Sequence, residues 1–126
     1  MNLSVIIPCY NEIDTIEQVI HTVSSVIGEE GEIIIVDDYS TDGTREFLKQ
    51  TSDGKMARVF YQDRNMGKGA ALRVGFAAAT REIVIVQDAD FEYDPHEFHI
   101  VIEPIMSDKA DIVYGSRFKG SQPHRV

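Results

Sequence analysis

Short apolar runs rich in β-branched residues alternate with longer amphipathic segments, and this alternation constrains the fold more than any other feature. The runs lie at 4–8, 32–37, 58–62, 82–87 and 111–114, and each has the length of a single strand. The stretches 33–36 and 83–86 are apolar at every position, which is typical of strands covered on both faces of a parallel sheet. The sequence therefore predicts an α/β fold with a mostly parallel sheet.

The segments between the strands have the spacing of helices that pack on a sheet. From 13 to 27, apolar residues recur every three to four positions, and acids stand near the start, where the helix dipole favours them. Further helices are expected after Thr44 and over 68–79. Another should begin after Asp94, which would act as N-cap with Pro95 at the first helical position. Alternating strands and helices predict right-handed βαβ units with helices on both faces of the sheet.

Size and charge limit the kinds of protein this chain can be. Its 126 residues suffice for one domain with a core, so we expect a single domain over 1–126. The net charge of −9 argues against a nucleic-acid partner, which would need a basic surface. It does not exclude a phosphate ligand, because a divalent cation can bridge carboxylates and phosphate.

Cys9 is the only cysteine, so an intramolecular disulfide is impossible and a reducing, cytoplasmic location is expected. The first residues lack the pattern of a signal peptide, and no window approaches the roughly 20 apolar residues of a membrane span. The stretch 119–126 has no periodicity, which suggests that the chain is the N-terminal part of a longer protein.

Residues of unusual type follow three of the predicted strands, at the sheet edge where open α/β sheets bind ligands. They are Pro8, Tyr10 and Glu12 after the first strand, Asp37 and Asp38 after the second, and Asp88, Ala89 and Asp90 after the fourth. If these strands are neighbours, the three loops line one crevice. The sequence therefore predicts a ligand site at this edge.

Asp88 and Asp90 have a direct chemical interpretation as metal ligands. Two carboxylates spaced two residues apart in an extended turn can face one hard cation, and Mg²⁺ or Mn²⁺ prefers oxygen ligands together with substrate phosphates. The cation would neutralise the charge that grows on a leaving diphosphate. Glu92 continues the spacing and is a candidate third ligand. The alternative is a pair of solvated acids in a turn, and placement after a buried strand favours the metal site.

The acids at 37 and 38 admit two roles that can both hold. Either Asp38 or Asp42 caps the next helix, and one carboxylate of the pair accepts hydrogen bonds from the N–H edge of a nucleobase. A similar acidic pair binds Mg²⁺ in receiver domains of two-component signalling. There the pair follows the first strand, whereas here it follows the second, which disfavours a signalling domain.

Two basic residues could bind phosphate. Lys68 lies in Asn-Met-Gly-Lys-Gly at 65–69, where glycines and a helix N-terminus favour an anion, although the spacing is not that of a P-loop. Arg117, beyond the last strand, could clamp a phosphate. A solvated lysine and a surface ion pair are the respective alternatives.

Four motifs in order resemble the family 2 glycosyltransferases of GT-A fold. They are Val-Ile-Ile-Pro-Cys-Tyr-Asn-Glu at 5–12, Ile-Val-Asp-Asp-Tyr-Ser-Thr-Asp-Gly-Thr at 35–44, the glycine segment at 65–69, and Gln-Asp-Ala-Asp at 87–90. The stretches 87–95 and 113–118 look most like the polyprenol-phosphate (dolichol-phosphate) mannosyltransferase branch. The resemblance implies a Rossmann-like nucleotide-diphospho-sugar transferase fold. It also implies inverting, metal-dependent transfer of a hexose, mannose from GDP-mannose, to a polyprenyl phosphate.

The resemblance further implies residue roles. Residues expected to contact the nucleotide sugar are Pro8, Tyr10, Glu12, Asp37, Asp38, Lys68, Asp88 and Ala89. Residues expected to hold Mg²⁺ or Mn²⁺ are Asp88, Asp90 and Glu92. Asp90 and Arg117 are expected to be catalytic, and Arg117 would face the acceptor phosphate. Tyr39 stands where the family usually has a small residue, so the base pocket is expected to differ.

A polyprenyl phosphate is already an anionic nucleophile, so this reaction needs no general base, whereas a sugar hydroxyl would need one. Transfer from a UDP-hexose to a saccharide hydroxyl is the alternative reaction, and a nucleotide-binding fragment without turnover is the alternative of another kind. Membrane contact is expected only through the lipid acceptor or through C-terminal segments beyond this chain.

Overall fold

The computed structural model describes residues 1–51, 57–90, 94–100, 102 and 112–114. Its strands are β1 (Leu3–Cys9), β2 (Glu32–Asp37), β3 (Ala57–Tyr61), β4 (Ile83–Val86) and β5 (Ile112–Tyr114). Its α-helices are α1 (Ile16–Ile27), α2 (Thr44–Thr51) and α3 (Lys68–Ala78), and short 3₁₀ turns occupy Gly28–Glu30 and Pro95–Glu97. The predicted Glu92, Arg117 and segment 119–126 lie outside the described residues.

The strands form one sheet in the order β3-β2-β1-β4-β5, and every neighbouring pair is parallel. The chain thus builds outward from β1 to β3 on one side and then crosses back to place β4 on the other side of β1. This reversal between β1 and β4 is the topological switch point, where the carboxyl ends of strands leave a crevice. The predicted α/β fold with a parallel sheet is confirmed.

Both faces of the sheet are covered because successive side chains of each central strand point to opposite faces. Val5 and Ile7 of β1 pack with buried residues of α1, whereas Ile6 packs with Ala71 and Leu72 of α3. The backbone of α3 comes so close to β1 that a Cβ at Gly75 would lie 2.5 Å from Cγ2 of Ile6. The packing therefore fixes α3, and with it Lys68 at its first turn, against the middle of the sheet.

Helix boundaries differ from the sequence prediction in one instructive place. α1 begins at Ile16 rather than near 13, because Glu12 first closes a turn in which its carbonyl accepts the N–H groups of Thr15 and Ile16. The predicted cap at Asp94 is confirmed, since its carboxylate accepts the N–H of His96 at 3.0 Å with Pro95 in the first turn. That first turn is 3₁₀ rather than α.

No helix in the described part of the chain is long and apolar enough to cross a membrane.

Candidate functional site

The carboxyl ends of β1, β2 and β4 open into one cavity of about 410 Å³ at the switch point. The residues that line it are Pro8, Cys9, Tyr10, Glu12, Asp38, Asn65, Lys68, Ala71, Asp88, Ala89 and Asp90. The structure thus brings together all of the predicted site residues that it describes except Asp37. Their convergence follows from the strand order, because β1 lies directly between β2 and β4.

The loop after β1 is held in place by the loop after β2. Asn11 has a left-handed backbone with φ 54°, and its N–H donates to the Ser40 hydroxyl at 2.9 Å. The Asn11 side-chain oxygen accepts the N–H of Thr41 at 2.7 Å, and the N–H of Glu12 donates to the Thr44 hydroxyl at 3.1 Å. These bonds fix Glu12 at the rim of the cavity.

Asp37 lies behind the cavity rather than on its wall. Its side chain is fully buried, and it accepts hydrogen bonds from the Ser40 hydroxyl at 2.6 Å and from Arg45 at 3.1 Å. The Ser40 N–H donates to the same carboxylate at 3.1 Å. These contacts organise the loop after β2, so Asp37 supports the site from behind and any contact of this acidic pair with a ligand falls to Asp38.

Asp38 lines the cavity and also holds the glycine loop that precedes α3. Its two carboxylate oxygens accept the N–H of Met66 at 2.7 Å and the N–H of Gly67 at 3.0 Å. Gly67 has φ 93°, which a residue with a side chain would adopt only with strain. Asp38 therefore positions the turn that delivers Lys68 to the cavity.

Asp42, not Asp38, takes the capping role at α2. Its carboxylate accepts the N–H of Thr44 at 3.0 Å and, across the loop, the N–H of Ile13 at 3.2 Å. Burial raises the pKa of Asp42. Hydrogen bonds from the Thr44 hydroxyl and from these N–H groups lower it by more than burial raises it, so the net shift is downward.

Lys68 and Asp88 form an ion pair across the cavity, with 2.7 Å between Nζ and Oδ1. Lys68 is the first residue of α3, and Asp88 follows β4. The ion pair therefore connects the start of α3 to the loop after β4, across the switch point.

The remaining acids crowd the same wall. Burial raises the pKa of Glu12, and the negative charges of Asp90, Asp42 and Asp88 raise it further, against a lowering by the Thr15 hydroxyl. Thr15 also donates to the carbonyl of Ala89 at 2.5 Å, which ties the start of α1 to the acidic turn. The cavity thus has an excess of negative charge that a cation would relieve.

Two carboxylates of the cavity, those of Asp88 and Asp90, are candidate metal ligands. Within the described residues, no group of three or more His, Cys, Asp or Glu side chains is placed to hold a metal ion. Asp88 and Asp90 supply carboxylates to one cavity, and Mg²⁺ is commonly held by one or two carboxylates plus substrate phosphates and water. Asp88 is already in contact with one positive charge, the Lys68 ammonium.

Sequence reasoning missed part of the cavity wall and its supports. Cys9 lines the cavity, and burial with the nearby charges of Asp37 and Glu12 raises the pKa of its thiol well above the usual range. Asn65 also lines it, and its place in the glycine segment was a usable signal. The role of Thr15 left no signal in the sequence, because its partner Ala89 is 74 positions away.

A parallel sheet of this strand order, with helices on both faces and a cavity at its switch point, places the domain in the doubly wound α/β class, whose members bind ligands at that point. The model for glycosyl transferase family 2 matches residues 4–125, and the chain belongs to this family. The predicted family membership is thereby confirmed.

Relatives and solved structures agree with this assignment. A dolichol-phosphate mannosyltransferase of Pyrococcus furiosus is 34% identical over 119 residues, which cover 94% of this chain and 34% of that protein. The chain spans about a third of the length of the curated relatives it matches.

Two solved structures share the fold. A mannosyltransferase from Pyrobaculum calidifontis, in complex with GDP-Man and Mn²⁺, has a TM-score of 0.63 and 31% identity, covering 71% of this chain and 27% of that one. Glucosyl-3-phosphoglycerate synthase from Mycobacterium tuberculosis, with Mn²⁺, UDP and glucosyl-3-phosphoglycerate, has a TM-score of 0.66 and 28% identity. That match covers 84% of this chain and 40% of the synthase chain. The GT-A fold expected from the motifs is confirmed.

Proposed function

We propose that this chain is the donor-binding domain of a metal-dependent hexosyltransferase, and that its cavity binds a nucleoside-diphosphate sugar. The observation that carries the proposal is the convergence of Asp88, Asp90 and Lys68 on one cavity at the switch point. Two acids can hold a diphosphate through a bound metal, and a flexible lysine can contact it directly.

In this proposal, different parts of the cavity bind the nucleoside, the diphosphate and the metal. Tyr10, which is largely exposed, and Asp38 would contact the nucleoside, while Lys68 would face the diphosphate. Asp88 and Asp90 would hold Mg²⁺ or Mn²⁺, and Glu92 would be a further ligand. The cation, when bound, supplies positive charge to the diphosphate as it leaves.

The proposed acceptor is a polyprenyl phosphate and the proposed donor is GDP-mannose. Support comes from the 34% identity to a dolichol-phosphate mannosyltransferase and from the fold shared with a mannosyltransferase that binds GDP-Man and Mn²⁺. The acceptor phosphate is its own nucleophile, so the chain need not supply a base. Arg117 would face this phosphate.

A UDP-hexose donor with a saccharide-hydroxyl acceptor is the second candidate. It is favoured by the likeness to a synthase whose structure holds UDP. That reaction would require a general base.

Calorimetric titration separates these candidates. The chain is titrated with GDP-mannose, UDP-glucose, GDP and UDP, each with and without Mn²⁺. We expect binding that requires Mn²⁺ and prefers one base. Binding of no nucleotide under any of these conditions would refute the donor-domain proposal, and a preference for UDP over GDP would replace the first donor by the second.

A further inference from the structure

The contact between Lys68 and Asp88 places a positive charge on a carboxylate that the proposed function assigns to a metal. Their charged atoms lie 2.7 Å apart, the distance of a charge-assisted hydrogen bond. The Asp88 side chain is 15% exposed and that of Lys68 is 41% exposed. The carboxylate is therefore held within the wall, whereas the ammonium lies at the open side.

The two partners differ in freedom to move. Asp88 follows β4 in the sheet, and its turn is tied through the Ala89 carbonyl to Thr15. Lys68 is anchored at its backbone by the loop that Asp38 holds, but its head group is a compact charge on a flexible four-carbon stem. The more mobile partner in an exchange at Asp88 is therefore the lysine side chain.

Charge balance determines when that exchange is favourable. Lys68 is the only basic residue among the described residues that line the cavity, which it shares with Glu12, Asp38, Asp88 and Asp90. A divalent ion that binds Asp88 without a nucleotide must either lie close to the ammonium or displace it from Oδ1, and both cost Coulomb energy. With a diphosphate present, the displaced ammonium gains a new anionic partner.

Resting on the proposed function, we propose that Lys68 is an internal counter-ion that blocks Asp88 until a nucleoside diphosphate arrives. Metal and diphosphate then bind with positive coupling, because each removes the obstacle to the other. Lys68 thus opposes metal binding in the free protein and favours nucleotide binding in the complex. The domain would bind the metal together with its donor rather than hold it permanently.

The test compares Lys68→Met with the unsubstituted chain. Two affinities are measured for each: that for Mn²⁺ alone, and that for GDP or UDP at saturating Mn²⁺. Free Mn²⁺ is counted by its electron paramagnetic resonance signal, and nucleotide binding is measured by calorimetry. We expect the affinity for Mn²⁺ alone to rise about 5-fold and the affinity for nucleotide to fall about 10-fold. A role limited to structure would weaken both.

Two further variants control for charge and folding. Lys49→Met removes the same net charge from α2, where the ammonium lies 5.3 Å from the centre of the Tyr61 ring and away from the cavity. It should leave both affinities near those of the unsubstituted chain. Lys68→Arg keeps the cation and should restore the low affinity for Mn²⁺ alone.

The outcomes distinguish this inference from the proposed function. If the unsubstituted chain binds nucleotide only with Mn²⁺, but Lys68→Met binds Mn²⁺ alone no better, the counter-ion proposal is wrong and the donor site stands. An equal gain in Lys49→Met would also overturn it, since the effect would be general charge. Failure of the unsubstituted chain to bind any nucleotide would overturn both.

Discussion

Glu32, at the amino edge of the sheet where the strands begin, and Glu12, at the carboxyl edge where they end, lie in opposite electrostatic surroundings. At the amino edge, Glu32 of β2 accepts hydrogen bonds from the Ser4 hydroxyl at 2.5 Å and from the Thr80 N–H at 2.6 Å, and it pairs with Arg58 at 3.1 Å. Burial raises the pKa of Glu32, but these donors, with the Thr80 hydroxyl, lower it to about 2. One acid thereby joins β1, β2, β3 and the segment before β4.

At the carboxyl edge, Asp37 and Asp38 are also supplied with internal donors, whereas Glu12 lies among the negative charges of neighbouring acids. Glu12 shares a cavity with Asp88 and Asp90, and burial together with the charge of Asp90 raises its pKa. The difference separates acids that stabilise the fold from acids that are candidates for ligand binding. A carboxylate supplied with internal donors stabilises the native state, whereas acids that crowd an open cavity cost stability until a cation binds.

The largest expected effect comes from removing an acid at the carboxyl edge. Asp90→Asn should weaken Mn²⁺-dependent binding of nucleoside diphosphate by about 100-fold or more, because a metal ligand is worth several kcal/mol. The folded state should lose no stability, since repulsion with Glu12 is relieved. Calorimetry and urea unfolding measure the two effects.

Asp14→Asn is the matched control for this variant, because Asp14 is exposed and does not line the cavity. It should bind nucleotide as the unsubstituted chain does. Unchanged nucleotide affinity in Asp90→Asn would show that Asp90 holds no metal, and the carboxyl edge would then need another explanation for its acids.

The next effect should appear at the amino edge and concern the free energy of unfolding alone. Glu32→Gln should lower it by about 2 kcal/mol at pH 7, because a pKa held near 2 in a side chain only 14% exposed represents that order of stabilisation. Nucleotide affinity should not change. Chemical unfolding at neutral pH measures the loss, with the exposed Glu82→Gln as control.

Unfolding of the unsubstituted chain and of Glu32→Gln at acid pH gives the sign of the Glu32 contribution to the free energy of unfolding. The folded-state pKa of Glu32 lies below its unfolded value, so its contribution is fully present above about pH 4.5 and is lost as pH falls toward 2. The difference between the unsubstituted chain and Glu32→Gln should shrink over that interval. A difference independent of pH would mean that packing, not ionisation, makes Glu32 stabilising.

Glu12→Gln should give a smaller effect of opposite sign. The pKa of Glu12 is raised in the folded state, so its ionised form destabilises at neutral pH, and this penalty disappears as pH falls below the unfolded pKa. We expect a gain in unfolding free energy of less than about 1 kcal/mol at pH 7, vanishing near pH 4. Urea unfolding at both pH values measures it, and Glu29→Gln at an exposed position should show no such gain.

The sequence was sufficient to predict the sheet and the meeting of three strand ends, because buried parallel strands consist of continuous apolar runs that can be located without partners. It could not assign the separate roles of Asp37, Asp38 and Asp42. Asp37 contacts Arg45 and Asp38 contacts Met66 across loops, whereas Asp42 caps α2 through Thr44, only two residues further on. Side-chain partnership across loops is a tertiary property, so it left no local pattern.

Backbone strain distinguishes the edges a second time. The non-glycine residues with positive φ in the described ranges are Asn11 and Tyr39, and both follow strands at the carboxyl edge. Tyr39 has φ 65° and a ring 45% exposed, with the guanidinium of Arg45 5.4 Å from its centre. Asparagine adopts this backbone region more readily than tyrosine or alanine.

The smallest prediction isolates that strain. Tyr39→Asn and Tyr39→Ala both remove the contact with Arg45, but only asparagine relieves the left-handed backbone. We therefore expect Tyr39→Asn to be more stable than Tyr39→Ala by about 0.5 kcal/mol in urea unfolding. Equal stabilities would mean that the loop after β2 carries no local strain. The contrast between the edges would then rest on charge alone, with Glu32 and the cavity acids as its only cause.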